Sequence, residues 1–225
     1  MTLGGYSTRS LGCSRNHQDL ECRCGFSYNR NVKRRIGVYC SGSIAKGTSD
    51  TKKLCWTIRE RQQVSRGAEP IDIVYLNPDD PIPDVGNTLG QFGRDMFQIL
   101  TADVVIVDGR ERRGIGIGVE MAAAAAMGTP TVIIAPANSQ YRSDELQYRG
   151  VTVRNYVHPH VSALASVIVD TFEEAGSALA DAVARNRGER HVPDWLTAAI
   201  SEYKENVLAR DTPMLVALKN LSRCS

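Results

Sequence analysis

Residues 102–136 read ADVVIVDGRERRGIGIGVEMAAAAAMGTPTVIIAP, and they leave a chain of this kind few ways to fold. Two strand-sized apolar runs, 103–108 and 131–135, enclose a basic loop, a glycine-spaced turn and an alanine-rich helix expected over 118–127. Strands buried on both faces belong to parallel sheets covered by helices. In such sheets the turn from strand to helix lies at the carboxyl edge, where ligands bind. Glu120 is the acid of this turn and is expected in the first helical turn. There the helix dipole and unpaired N–H groups favour a charged carboxylate. An ionised carboxylate at the rim of a crevice is a candidate nucleophile. The same position equally suits an ordinary first-turn acid, and position alone leaves both open.

The pattern continues on either side. Residues 35–40 (RIGVYC) read as a buried strand, 51–66 as a helix and 71–76 (IDIVYL) as a second strand. A proline-broken loop, NPDDPIPDVGN, follows. Leu89, Phe92, Met96 and Leu100 recur every three or four residues, so 88–101 is an amphipathic helix. Residues 151–157 are expected as the fifth strand, 162–185 as a long helix and 193–209 as a further helix, with a polar tail beyond. Alternating strands and helices imply an α/β fold: a flavodoxin-like, Rossmann-like parallel five-stranded sheet, order 2-1-3-4-5, with helices on both faces. Strands 1 and 3 are then neighbours, and a crevice opens between their carboxyl ends. Residues 34–190 form the expected α/β domain, 1–33 a disordered basic extension and 191–225 a C-terminal helical appendage.

Charge is uneven. Residues 1–35 hold seven Lys/Arg against two Asp/Glu, and the other 190 hold 20 against 23. The mildly acidic remainder argues against binding a nucleic-acid polymer. The longest apolar stretches are strand-sized, so no membrane span is expected, and a polar, glycine-rich start makes the cytoplasm the expected location. Of the cysteines, Cys13, Cys22 and Cys24 sit near His17 without paired-knuckle spacing, so no metal site is expected. Cys40 ends a strand and reads as a small buried hydrophobe, while Cys55 and Cys224 carry no motif.

Three motifs meet at the expected crevice. Tyr39-Cys40-Ser41-Gly42-Ser43-Ile44, followed by Lys46, lets backbone N–H groups approach a polar ligand. Asp95 lies on the amphipathic helix beside its buried stripe. Gly114, Gly116 and Gly118 lead into Glu120, in a pattern that is not the dinucleotide fingerprint. Asp79, Asp80 and Asp84 read as turn residues, His158 and His160 as loop residues, and Trp56 and Trp195 as helix-packing residues.

Together these motifs resemble the nucleoside 2-deoxyribosyltransferase superfamily, nearest its 2'-deoxynucleoside 5'-phosphate N-hydrolase branch. The likeness spans about residues 35–156: YCSGSI, an acid seven residues before the ADVVIVD strand, and GIGIGVE ahead of Gly128, Pro130 and Val132. It implies cleavage or transfer at an N-glycosidic bond of a nucleoside or nucleotide, by a retaining route. By position Glu120 is the nucleophile, Asp95 helps protonate or hold the departing base, and Tyr39 orients Glu120. Ser41, Gly42, Ser43, Ile44, Lys46, Gly114, Gly116 and Gly118 would bind substrate. The resemblance implies no cofactor, no metal, and a homodimer or higher homo-oligomer. The chain departs from that branch around the phosphate, with Ala45, Gly114 and Glu145 where it has arginine and serines. A phosphate site losing cationic and hydroxyl donors is weakened, although Lys46, Arg112 and Arg113 stand near. Two alternatives remain: a cytokinin-activating-type phosphoribohydrolase, whose PGGxGT turn RRGIGIG lacks, and a nucleotide-sensing module without catalysis.

Overall fold

The computed structural model describes residues 35–42, 56–110, 115–185 and 189–222, all within one compact unit, Lys33–Ser225. The extension at 1–33 lies outside the described residues. Strands β1 (Arg35–Ser41), β2 (Asp72–Leu76), β3 (Val104–Asp108), β4 (Thr131–Ile134) and β7 (Val167–Val169) form one sheet in the order β2-β1-β3-β4-β7. Every pairing in it is parallel. This is the expected five-stranded α/β architecture.

The fifth strand is not the one expected. Residues 151–157 form β6 (Val151–Val157), which pairs antiparallel with β5 (Arg142–Tyr148) in a separate hairpin. Arg149 (φ 49°) and Gly150 (φ 81°) make its two-residue turn, the positive-φ pair that hairpins favour. VTVRNYV is largely exposed, whereas a strand inside a parallel sheet is an apolar run. The true edge strand, VIV of β7, lies inside the stretch expected as one long helix. That stretch is instead α4 (Pro159–Leu164), β7 and α5 (Phe172–Arg185). Three apolar residues are too few to separate strand from helix by period. The helix start at 172 did carry a signal: Glu174 N–H donates to Thr171 Oγ1, and Thr171 N–H to Glu174 Oε2.

Side-chain parity divides the core. Ile36, Val38, Cys40, Val104, Ile106, Val132 and Ile134 face α1 (Ile58–Gly67) and α5. Tyr39, Val105, Val107 and Ile133 face α2 (Thr88–Thr101) and α3 (Ile115–Met127). Helix α2 has the bounds its periodicity predicts. Helix α1 begins at Ile58, where Thr57 and Glu60 close a capping box, and residues 51–55 of the expected helix lie outside the described residues. Gly67 and Gly176 let α1 and α5 cross closely: a Cβ at Gly176 would lie 2.1 Å from the Val64 carbonyl oxygen. Beyond α6 (Asp194–Asn206) the expected polar tail is a helix, α7 (Thr212–Ser222), whose Met214 and Ala217 are buried. Leu196, Ile200 and Tyr203 of α6 join the same cluster as Met96 and Ile99 of α2. Trp195, expected to pack, is 56% exposed. Among the described residues no helix is long and apolar enough to cross a membrane.

Candidate active site

Strand parity assembles the site. Tyr39 and Ser41 are two residues apart on β1, so both point to the face that α3 covers, while Cys40 points to the other. The Tyr39 hydroxyl donates to Glu120 Oε1 at 3.0 Å, and the Ser41 hydroxyl donates to Oε2. Each carboxylate oxygen thus has its own donor.

Glu120 is not a first-turn residue. Helix α3 starts at Ile115, so Glu120 falls in its second turn and is 7% exposed. The glycine-spaced segment from 115 is helix, because Ile117 keeps the helical phase and packs into the core. The macrodipole acts within the first turn, so it is not what governs this acid. Burial pushes its carboxyl above the ordinary range, and the hydrogen bonds from Ser41 and Tyr39 pull it back. Tyr39 is held protonated: burial raises its pKa well above the usual value, and the charges of Glu120 and Asp95 raise it further. Asp95 is half-buried on α2, and its field reaches Tyr39. Glu120, Tyr39, Ser41 and Asp95 are therefore brought together. Ser41, expected as a substrate ligand, holds Glu120 through its hydroxyl.

Gly42 is half-buried just past β1. Ser43, Ile44, Lys46 and Gly114, like Ala45, Arg112 and Arg113, lie outside the described residues. Gly116 and Gly118 sit on α3 with open space where a Cβ would stand. Gly118 lines a cavity of about 760 Å³ with Ile115, Ala122, Tyr141, His158 and His160, mostly apolar around it. Glu120 lies two residues from both Gly118 and Ala122, on nearly the opposite side of the helix. Ile117 and Met121 also line this cavity, so it opens mainly, but not wholly, on the side of α3 away from the buried acid.

The remaining expectations sort as follows. Asp84 Oδ1 accepts from the Gly86 and Asn87 N–H groups, a turn role. Asp79 is exposed in the same loop, with its carboxyl raised by partial burial and then by Asp80. His158 is a loop residue as expected and caps α4, its Nδ1 accepting from the His160 N–H at 3.3 Å, whereas His160 lies inside α4. Glu145 is exposed on β5. Among the described residues no group of three or more His, Cys, Asp or Glu is placed to hold a metal ion.

Two features went unseen in the sequence. Arg94 is fully buried against Asp211, Nε to Oδ2 2.5 Å. Arg110 joins Asp108 to Glu60 at the end of β3. The only local signal was an arginine on α2 away from its apolar stripe, and an Asp-Gly-Arg at a strand end.

No family model matches the chain, and no curated protein matches it. A solved structure similar to it is that of a 2-desoxiribosyltransferase from Leishmania mexicana, at 20% identity with a TM-score of 0.44, covering 67% of this chain and 98% of that one.

Proposed function

We propose that this protein cleaves, or transfers at, the N-glycosidic bond of a nucleoside or nucleotide, with Glu120 as nucleophile and retention at the anomeric carbon. The proposal puts the chain with the nucleoside 2-deoxyribosyltransferase superfamily, as its motifs suggest. One observation carries it: a buried carboxylate whose two oxygens are each held by a hydroxyl of β1, with a second acid on α2 whose charge acts on the Tyr39 hydroxyl.

The chemistry follows from that arrangement. A Glu120 oxygen attacks the anomeric carbon as the carbon–nitrogen bond breaks, and the bonding pair leaves on the base nitrogen. Asp95, protonated or relaying a proton, neutralises the departing base. The result is a glycosyl ester on Glu120. Water, or a second base, then displaces the carboxylate from the opposite face, so two inversions give net retention. Burial makes the charge of the carboxylate costly, and the two hydroxyls favour the charged form and fix its direction. The site needs no resident metal or cofactor for any of these steps.

The experiment is a mass-spectrometric screen of mixed nucleosides and nucleotides for free-base release by purified protein, with Glu120→Gln as control. Base release by the native protein and a loss of several orders of magnitude in the variant are expected. A variant keeping more than about a tenth of the rate, a difference under about 1.4 kcal/mol, overturns the role of Glu120.

A further inference from the structure

Two carboxylates near the carboxyl edge of the sheet take no part in the chemistry above. Asp108 ends β3 fully buried, and Glu60 in the first turn of α1 is 6% exposed. Arg110 holds both. Its Nε and Nη2 each donate to an Asp108 oxygen at 2.9 Å, and Nη2 also donates to Glu60 Oε1 at 2.6 Å. The guanidinium lies 4.5 Å above the Phe172 ring. Such a part-buried trio adds little net stability. What it supplies is geometry.

That geometry leads to Ser41 by two routes. Phe172 meets Trp56 edge to face, with ring centroids 5.2 Å apart. Glu60 Oε2 accepts from the Thr57 N–H at 2.9 Å and from its hydroxyl at 3.0 Å. Both routes end at Trp56 and its neighbour. Trp56 has φ 58°, a left-handed conformation that a bulky residue keeps only when its surroundings impose it. Its Nε1 donates to the Ser41 carbonyl oxygen at 3.1 Å, and the Ser41 hydroxyl donates to Glu120.

We propose that Arg110 is a positioning residue: it clamps the start of α1 to the end of β3 and, through Trp56, holds Ser41 where its hydroxyl meets Glu120. Its catalytic consequence rests on the role proposed above for Glu120, while the clamp itself is read from the protonation of Glu120 directly. Ser41 and Tyr39 face Glu120 from β1, and Asp95 of α2 acts on Tyr39. Burial and the two hydroxyls set the carboxyl, and Arg110 is not among its causes. An effect of Arg110 on Glu120 therefore travels through Ser41. Lysine keeps the charge of arginine but not the planar fork that grips two carboxylates.

The test titrates the carboxyl infrared band of Glu120 in the full chain, isolated in each background by subtracting the spectrum of the matching Glu120→Gln protein. Ser41→Ala removes a donor that favours the charged form, so its midpoint rises. Arg110→Lys and Trp56→Phe are expected to raise the midpoint in the same direction by at least about 0.5. Adding Arg110→Lys to Ser41→Ala should move it no further. A native midpoint in both Arg110→Lys and Trp56→Phe overturns the clamp, as does a Ser41→Ala protein that titrates like the native one. If Arg110→Lys fails to fold, Trp56→Phe decides, because it keeps an aromatic ring against Phe172 and removes the indole N–H that bonds Ser41. Absence of base release by native protein would overturn the glycosidic reading and leave the infrared result standing.

Discussion

At the scale of single residues, Glu120 sets activity against stability. Its carboxyl is raised by burial, so the folded state holds that proton more tightly than the unfolded chain does. The sign follows. Below the ordinary carboxylate range Glu120 is neutral in both states and carries no ionisation penalty. As pH rises through the raised value, the folded protein must bury a charge, and that stability is lost. Glu120→Gln should therefore melt at least as high as the native protein at neutral pH, while base release disappears. The advantage should shrink as pH falls below the ordinary range, and melting curves at stepped pH check it. For the same reason kcat/KM should rise with pH on an acid limb set above the usual carboxylate value. A second prediction concerns phosphate. Glu145 is exposed on β5, and Ala45 and Gly114 replace donors that similar hydrolases carry. Each charge-assisted bond lost is worth about 1.5–3 kcal/mol. A free nucleoside should thus be used at least as well as its 5'-monophosphate. A ratio of kcat/KM favouring the monophosphate by more than about a hundredfold, about 2.7 kcal/mol, would overturn this.

Among the elements, the crossing of α1 and α5 is close enough to test. Gly176→Ala places a Cβ 2.1 Å from a backbone oxygen, and backbone cannot swing aside as a side chain can. The helices must separate, at a cost of about 1–3 kcal/mol read by urea unfolding. Gly116→Ala has open space and should cost nothing of that kind. What was legible in the sequence follows the strength of each local pattern. β1, β3 and β4 were plain because both faces are buried and the apolar runs are continuous. α2 was plain because its stripe repeats over 14 residues and Asn87 caps it, accepting from the Gly90 N–H at 2.8 Å. β7 was hidden because three residues have no measurable period. The hairpin was hidden because its turn uses Arg149, where Asn or Asp ahead of glycine is the usual signal. At the site, Tyr39, Asp95 and Glu120 were legible as motif residues. The role of Ser41 was not, because it depends on the parity of β1 against a helix nearly 80 residues later.

Across the whole molecule, one buried ion pair ties distant segments together. Arg94 of α2 donates to both Asp211 oxygens and to the backbone oxygens of Pro78 and Asp80. Asp211 also accepts from the Tyr203 hydroxyl at 2.8 Å and the Met214 N–H at 3.1 Å. The loop after β2, α2, α6 and α7 thus share one charge pair with both side chains fully buried. Asp211→Ala leaves the guanidinium without its counter-charge and should cost about 3–5 kcal/mol. A urea midpoint within error of the native one would show that α7 docks without it. Sequence distance has another consequence for Glu120. Its bonds to Tyr39 and Ser41 span 81 and 79 residues. Helices α2 and α3 can form from local contacts, but the seating of β1 beside β3 must close a long stretch of chain first, and such contacts form slowly. The acid acquires its two hydroxyls only after that event. On refolding, the far-ultraviolet helical signal should therefore return ahead of base release, and the lag between them times the arrival of the first strand.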